Sequence, residues 1–416
     1  LEAHLAALHC LWIAISMQRT RNFTLEGRTG SVSFTLPETW RPVKILGSGS
    51  YATVAAFEAH GKKLAVKKVR RIFDHPLLAL RTLREVKLLA HFQHPNILRL
   101  QCLWLDGTDF KDAYLCLERM DGDLHTLIYG NQSYLTDIQV QQVLYSVMRG
   151  LLCLRFACVI HRDLKPGNIL VGHTGEVKIA DLGLARGIDS DEDAHDQIML
   201  TEYVVTRYYR APEVVLTASR YTYAVDMWSA GCILGEMLTR RPVFEGRDSL
   251  HQVKIIISVL GCQEPEDLAW LPARGTARVF VDNCIQEMRN KCVPATNQGL
   301  MQRMKRPTPV NALAVDMLVE MLRFDPSRRL AVEEALEHGF LSHFKPDSGE
   351  GEEVTAAKNI PFMDWTFDRS LCFDGFGRPK PFEVAACRRT FLEAQERLAF
   401  AGGGGYSENR QGVSGK

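Results

Sequence analysis

Residues 161–213 read HRDLKPGNIL, then VGHTGEVKIADLGLAR, then GIDSDEDAHDQIMLTEYVVTRYYRAPE, and this stretch decides the fold. Within its first 21 positions stand Asp163, Lys165, Asn168 and Asp181. Two carboxylates, an ammonium and a carboxamide so close together suit the transfer of a phosphoryl group with magnesium. Such transfer needs positioning and neutralisation of charge more than covalent chemistry from the protein.

The sequence around that stretch changes character once. Residues 40–120 carry short β-prone runs, Val43 to Leu46, Thr53 to Ala59 and Lys63 to Val69, separated by glycines. A helical pattern, LLALRTLREVKLLA, follows over 77–90, and strands are predicted again over Asn96 to Leu105 and Tyr114 to Leu117. From about residue 121 the apolar spacing turns helical: Val140, Val143, Leu144, Val147 and Leu151 share one face. Ala224 to Thr239 is apolar enough for a buried helix, and 312–323 reads as another amphipathic one.

The composition is that of a globular chain: 46% hydrophobic, 24% charged, net charge +1. A near-neutral balance argues against nucleic acid or a membrane surface as partner, since both call for a basic excess. The eleven cysteines show no C-x-x-C spacing, so core thiols in a reducing compartment are expected. Leu5 to Ser16 is apolar, too short to span a bilayer, and followed rather than preceded by arginines, so it fits neither a span nor a signal peptide. Residues 1–16 are expected to lie outside the working protein. Asp347 to Glu353 reads as an acidic linker, and the Gly-rich tail from Ala401 as disordered.

Further motifs stand at ordered distances. Gly47-Ser48-Gly49-Ser50-Tyr51-Ala52-Thr53-Val54 lies between two predicted strands, where bare backbone can approach a phosphate. Ala65-Val66-Lys67-Lys68 follows on the next strand, and Glu85 on the next helix can orient Lys67. Alone, the loop could be a hairpin turn, Lys67 a solvated strand lysine, and Glu85 a surface charge paired with Arg81. With HRDLKPGN, Asp181-Leu182-Gly183 and Ala211-Pro212-Glu213 in this order, chance is remote, and the chain resembles a eukaryotic protein kinase. Thr201-Glu202-Tyr203 ahead of VVTRYYRAPE, together with YAVDMWSAGCILGEML, is similar to the mitogen-activated protein kinases of the ERK type, in the CMGC group. The likeness covers roughly residues 36–375.

The resemblance implies an α+β bilobal fold, with a small β-rich N-lobe (about 40–120) and a larger helical C-lobe (about 121–345). Residues 1–35 would be a flexible extension, 36–345 the kinase domain, 346–400 an extension packing on it, and 401–416 a disordered tail. It further implies ATP and Mg2+. Asp163 would orient the substrate hydroxyl and accept its proton, and Lys165 would neutralise the transferring phosphoryl group. Asn168 and Asp181 would hold magnesium, and Lys67, fixed by Glu85, would bind the α- and β-phosphates. Nucleotide would meet Leu46, Gly47, Ser48, Gly49, Val54, Ala65, Leu117 as gatekeeper, Glu118, Met120 and Asp123.

Phosphorylation of Thr201 and Tyr203 would switch the enzyme on, with Arg81, Arg162 and Arg186 receiving the first phosphate and Arg207 and Arg210 the second. Asp347 and Glu350 would dock basic peptides of substrates and phosphatases. An upstream dual-specificity MAP kinase kinase is the implied activator, and cytoplasm and nucleus the implied compartments. Glu213 would pair with Arg329 in a buried structural link. Three departures stand out: Ala52 for the third loop glycine, Leu182 for the usual Phe after Asp181, and Gly167 for a frequent Ser. None removes a base or a metal ligand, which weighs against a pseudokinase scaffold. The T-E-Y lip weighs against a small-molecule phosphotransferase.

Overall fold

A computed structural model describes residues 19–27, 30–130, 133–188, 207–217, 222–261, 263–290, 298–344, 360–374 and 377–402. The chain divides into two compact units. One comprises Leu1–Gln93, Leu98–Arg119 and Asp364–Lys416, the other His94–Ile97 and Met120–Met363.

In the first unit, β1 (Thr20–Gly27) and β2 (Gly30–Pro37) form an antiparallel hairpin with Phe23 opposite Phe34. Next comes an antiparallel sheet of β3 (Arg41–Ser48), β4 (Ala52–Ala59), β5 (Lys62–Val69), β6 (Leu100–Leu105) and β7 (Ala113–Glu118), in the order β3-β4-β5-β7-β6. Alternation along each strand sends one set of side chains to a common face. There Phe57, Val66, Tyr114 and Cys116 pack with Phe23, Phe34 and Leu36 of the hairpin and with Trp40. The expectation of a flexible extension over 1–35 therefore fails for Thr20–Gly27 and for the part of β2 from Gly30 to Thr35. Period-two placement of Phe23, Leu25, Val32, Phe34 and Leu36 gives the hairpin an apolar face, and the sheet covers it.

Helix α1 (Pro76–His91) begins with Pro at its first turn, where the missing N–H costs no hydrogen bond. It buries Leu80, Leu83, Val86 and Leu89. The strand expected over Asn96 to Leu105 starts only at Leu100. The preceding residues turn to the second unit, where the Asn96 carbonyl accepts from Ile179 N at 2.9 Å and Asn96 Nδ2 donates to the Val177 carbonyl at 3.0 Å.

The second unit is mainly helical. It runs through β8 (Gly122–Asp123), α2 (Leu124–Gly130), α3 (Asp137–Phe156), β9 (Val159–Ile160), β10 (Ile169–Val171), β11 (Val177–Ile179) and β12 (Arg186–Gly187). Then follow α4 (Pro212–Leu216), α5 (Ala224–Thr239), α6 (Ser249–Leu260), α7 (Thr276–Asn290), α8 (Gln298–Arg303), α9 (Ala312–Met321) and α10 (Val332–Glu337). A capping box starts α3: Gln139 N donates to Thr136 Oγ1, and Thr136 N to Gln139 Oε1. Helix α5 is buried from Val225 through Thr239, as its all-round apolar sequence requires. Two short antiparallel ladders, β11-β10-β8 and β12-β9, flank the segment that opens with His161.

The chain returns to the first unit with α11 (Thr366–Cys372) and α12 (Val384–Gly402). Asp368 receives Arg84 of α1 in a two-point pair at 2.6 and 2.7 Å. Phe391 of α12 is fully buried against Phe73 and Phe110. Among the described residues no helix is long and apolar enough to cross a membrane.

Candidate active site

Asp163 sits in a loop that two anchors shape. Asp226, on α5, accepts from the backbone N–H groups of both His161 (2.7 Å) and Arg162 (2.9 Å). This holds Arg162 at φ 69°, a left-handed conformation costly for a residue with a Cβ. The fully buried His161 side chain, through Nε2, meets the Ala180 carbonyl at 3.0 Å, and its Nδ1 accepts from Asp163 N at 3.2 Å. Burial pushes the Asp226 carboxyl up from its ordinary range, against the opposing pull of His161 and of the two N–H donors. Sequence reasoning missed this residue. Its signal was there: a carboxylate in the first turn of a largely apolar helix.

On this frame the expected side chains converge. Lys165 Nζ donates to Asp163 Oδ2 at 2.7 Å, and Asn168 Nδ2 donates to the same oxygen at 3.0 Å and to the Asp163 carbonyl at 2.8 Å. With its NH₂ so committed, Asn168 has its carbonyl oxygen to offer a ligand. Asp181 adopts φ 62° just before the 3₁₀ turn Leu182–Leu184. Leu182 is fully buried, so it fills an apolar place as the usual Phe would. A donor set of carboxylate and carboxamide oxygens fits a small hard cation such as Mg2+.

In the first unit, Lys67 of β5 and Glu85 of α1 form a two-point ion pair, Nζ to Oε1 at 2.7 Å and to Oε2 at 2.9 Å. Glu85 is buried and is no surface partner. Gly49 N donates to the Ala52 carbonyl at 2.8 Å, closing the turn between β3 and β4. A Cβ added at Gly47 would meet nothing within 4 Å, so packing does not demand glycine there. Leu46 and Ser48 lie on β3, Val54 on β4 and Ala65 on β5. Leu117 is buried on β7, and Glu118 accepts from Arg99 N at 2.7 Å. In the second unit Met120 precedes β8, and Asp123 Oδ1 accepts from Thr126 N at 2.7 Å, capping α2.

Arg81 lies on α1, Arg162 in the anchored loop and Arg186 on β12. Arg207 donates to the Arg247 carbonyl at 2.6 Å, and Arg210 stands just ahead of α4. Thr201, Tyr203, Asp347 and Glu350 lie outside the described residues. Behind Ala211-Pro212, Glu213 meets Arg329 at 2.6 and 3.0 Å.

A β-rich unit with a Lys–Glu pair, and a helical one with an Asp-Lys-Asn loop followed by Asp181, define the bilobal protein kinase fold. The protein kinase domain family matches residues 40–341. Extracellular signal-regulated kinase 1 of Dictyostelium discoideum is 40% identical over 343 residues, 81% of this chain and 61% of that protein. Mitogen-activated protein kinase 4 of rice, Oryza sativa subsp. japonica, is 41% identical over 313 residues, 74% of this chain and 80% of its own length. Mitogen-activated protein kinase 7 of Arabidopsis thaliana is 38% identical over 332 residues, 79% and 85% of the two lengths. The chain belongs to the protein kinase family, and within it to the mitogen-activated protein kinases of the CMGC group; it is a protein serine/threonine kinase.

Proposed function

We propose that this kinase uses ATP and Mg2+ to phosphorylate serine or threonine followed by proline, and that phosphorylation of Thr201 and Tyr203 activates it. The observation that carries the catalytic reading is the Asp163 carboxylate, held by Lys165 and Asn168 through one oxygen, Oδ2. Its second oxygen remains to receive the substrate hydroxyl, draw it into line and take its proton. Lys165, 2.7 Å from that carboxylate, stands ready to neutralise charge on the transferring group.

Asn168 and Asp181 would hold the cation, and Lys67, fixed by Glu85, the α- and β-phosphates. When bound, the cation supplies neutralisation of the phosphate oxygens. The bare backbone at Gly47 suits close approach to phosphate.

Each new phosphate would bring about −1.5 to −2 charges, which arginines neutralise best. Arg81, Arg162 and Arg186 would serve phospho-Thr201, and Arg207 and Arg210 phospho-Tyr203. An upstream dual-specificity MAP kinase kinase would install them. Basic docking peptides of substrates and phosphatases would use Asp347 and Glu350, in cytoplasm and nucleus.

The test is to phosphorylate the chain with an active dual-specificity activator and compare transfer to peptides with and without Pro after the acceptor. The proline peptide should be much the faster; equal rates overturn the proline-directed reading. Full activity in Thr201→Ala/Tyr203→Phe overturns the switch.

A further inference from the structure

Cys116 lies on β7, one residue ahead of Leu117, and its partner across the ladder is Cys102 on β6. Strand β6 is the edge of the five-stranded sheet. Facing Cα atoms in an antiparallel ladder stand about 4.5–5.5 Å apart. A disulfide spans Cα separations of about 4.4–6.8 Å, so this pairing allows a bond without backbone movement.

The side chains also share a face. Cys116 is fully buried in the cluster with Phe34, Val66 and Tyr114, and Cys102 packs against that cluster from its rim. Both thiols are free, and Cys116 Sγ donates to the Tyr114 carbonyl at 3.8 Å. They differ in access: Cys116 is sealed in, while Cys102 is partly exposed.

We propose that Cys102 and Cys116 form an oxidative modification site, which hydrogen peroxide converts to a cross-strand disulfide. The Cys102 sulfur, as thiolate, attacks one peroxide oxygen. An S–O bond forms, the O–O bond breaks, and the departing hydroxide takes up the proton that the thiol released, giving water. The Cys102 sulfur is oxidised by two electrons to a sulfenic acid. The Cys116 sulfur then attacks it; S–S forms, S–O breaks, and the hydroxyl leaves with the Cys116 proton as a second water. Two thiols and one peroxide thus give one disulfide and two waters.

Burial assigns the order of events. Desolvation raises the Cys116 thiol well above its ordinary range, which leaves the rim thiol Cys102 as the first nucleophile. The bond would staple the edge strand to the strand that carries Leu117 and Glu118.

Trypsin cuts after Arg99, Lys111 and Arg119, so the two cysteines fall in separate peptides, 100–111 and 112–119. The full chain is reduced, treated with hydrogen peroxide in native buffer, alkylated, digested without reductant and analysed by mass spectrometry. The two peptides are expected joined, released by reductant, and both alkylated in the untreated sample. In Cys116→Ser, oxidation should stop at Cys102, trapped by dimedone as the sulfenic acid. Recovery of both wild-type peptides alkylated after peroxide overturns the proposal. So does Cys102 as sulfinic acid beside an alkylated Cys116. The wild-type readout stands whether or not the variant folds.

Discussion

Glu213 and Arg329, 116 positions apart, meet as a buried two-point ion pair at 2.6 and 3.0 Å. The Arg329 side chain is 0% exposed and that of Glu213 4%. The guanidinium also donates to the Ala224 carbonyl at 2.7 Å and lies 5.0 Å over the Trp228 ring. One contact set thus ties the end of the Ala-Pro-Glu motif to α5 and to the loop before α10. Removing one partner leaves the other charge buried and unpaired. Glu213→Gln should lower the unfolding free energy by about 3–5 kcal/mol, read from the urea midpoint at unchanged slope. A midpoint within a few tenths of a molar of wild type would refute the pair's structural role.

The β1–β2 hairpin makes a second prediction. Phe34 is fully buried, with ring centroids 5.4 Å from Phe57 and 6.3 Å from Tyr114. Phe34→Ala should destabilise the protein by about 3–5 kcal/mol, through lost burial and the cavity left behind. A flexible hairpin would show almost no change in the same titration.

That hairpin marks where the sequence stopped being legible. Ala224–Thr239 could be bounded to the residue because a largely apolar run of 16 residues favours one reading, a buried helix. The candidate catalytic residues could be nominated because polar groups at fixed spacing suggest a chemistry. Phe23 and Phe34, in contrast, alternate with polar neighbours over eight residues, and such a pattern has meaning only once the sheet that covers it is known. Asp226 failed for a related reason: a carboxylate on a helix reads as solvated until two distant N–H groups are seen to point at it. Asn96 to Leu105 misled because β-prone residues pair with two different partners, Ile97 with Ile179 and Leu100 with Leu117.

His94 gives the protein an acid sensitivity. Burial, then the neighbouring Arg149 and Lys178, lowers its pKa from 6.5 to about 4, and its Nδ1 accepts from Asn96 N at 3.1 Å. The unfolded chain therefore binds a proton near pH 6.5 that the folded chain refuses. The stability from neutral His94 is fully present above that pH and is lost as pH falls towards 4. Over that span the loss should reach roughly 3 kcal/mol. His94→Gln should flatten the difference between stability at pH 7 and at pH 4.5. An unchanged difference would exclude His94 as its source.

The Lys67–Glu85 pair predicts a split in the kinetics. Glu85→Gln keeps the shape and removes the charge that fixes Lys67 Nζ at 2.7 and 2.9 Å. Lys67 would remain able to attract phosphate but lose its placement. Phosphorylated enzyme should lose about 10²-fold or more in kcat, with a smaller change in KM for ATP. Loss confined to KM would show that the pair binds nucleotide without orienting it.

Asp163 and Lys165 should be separable by pH. Asp163→Asn keeps a side chain able to hydrogen-bond Lys165 through its carbonyl oxygen, so the anchored loop should persist and stability change little. What it removes is the oxygen proposed to orient the hydroxyl and accept its proton. The expected loss is about 10²–10⁴-fold in kcat, with KM for the peptide nearly unchanged. Raising the pH should not restore the rate, because an amide stays a poor base however scarce protons become. Lys165→Met should also lose rate, but through charge neutralisation, so its activity should keep the pH profile of the wild type. A pH profile shared by Asp163→Asn and wild type, at near wild-type rate, would remove Asp163 from the chemistry.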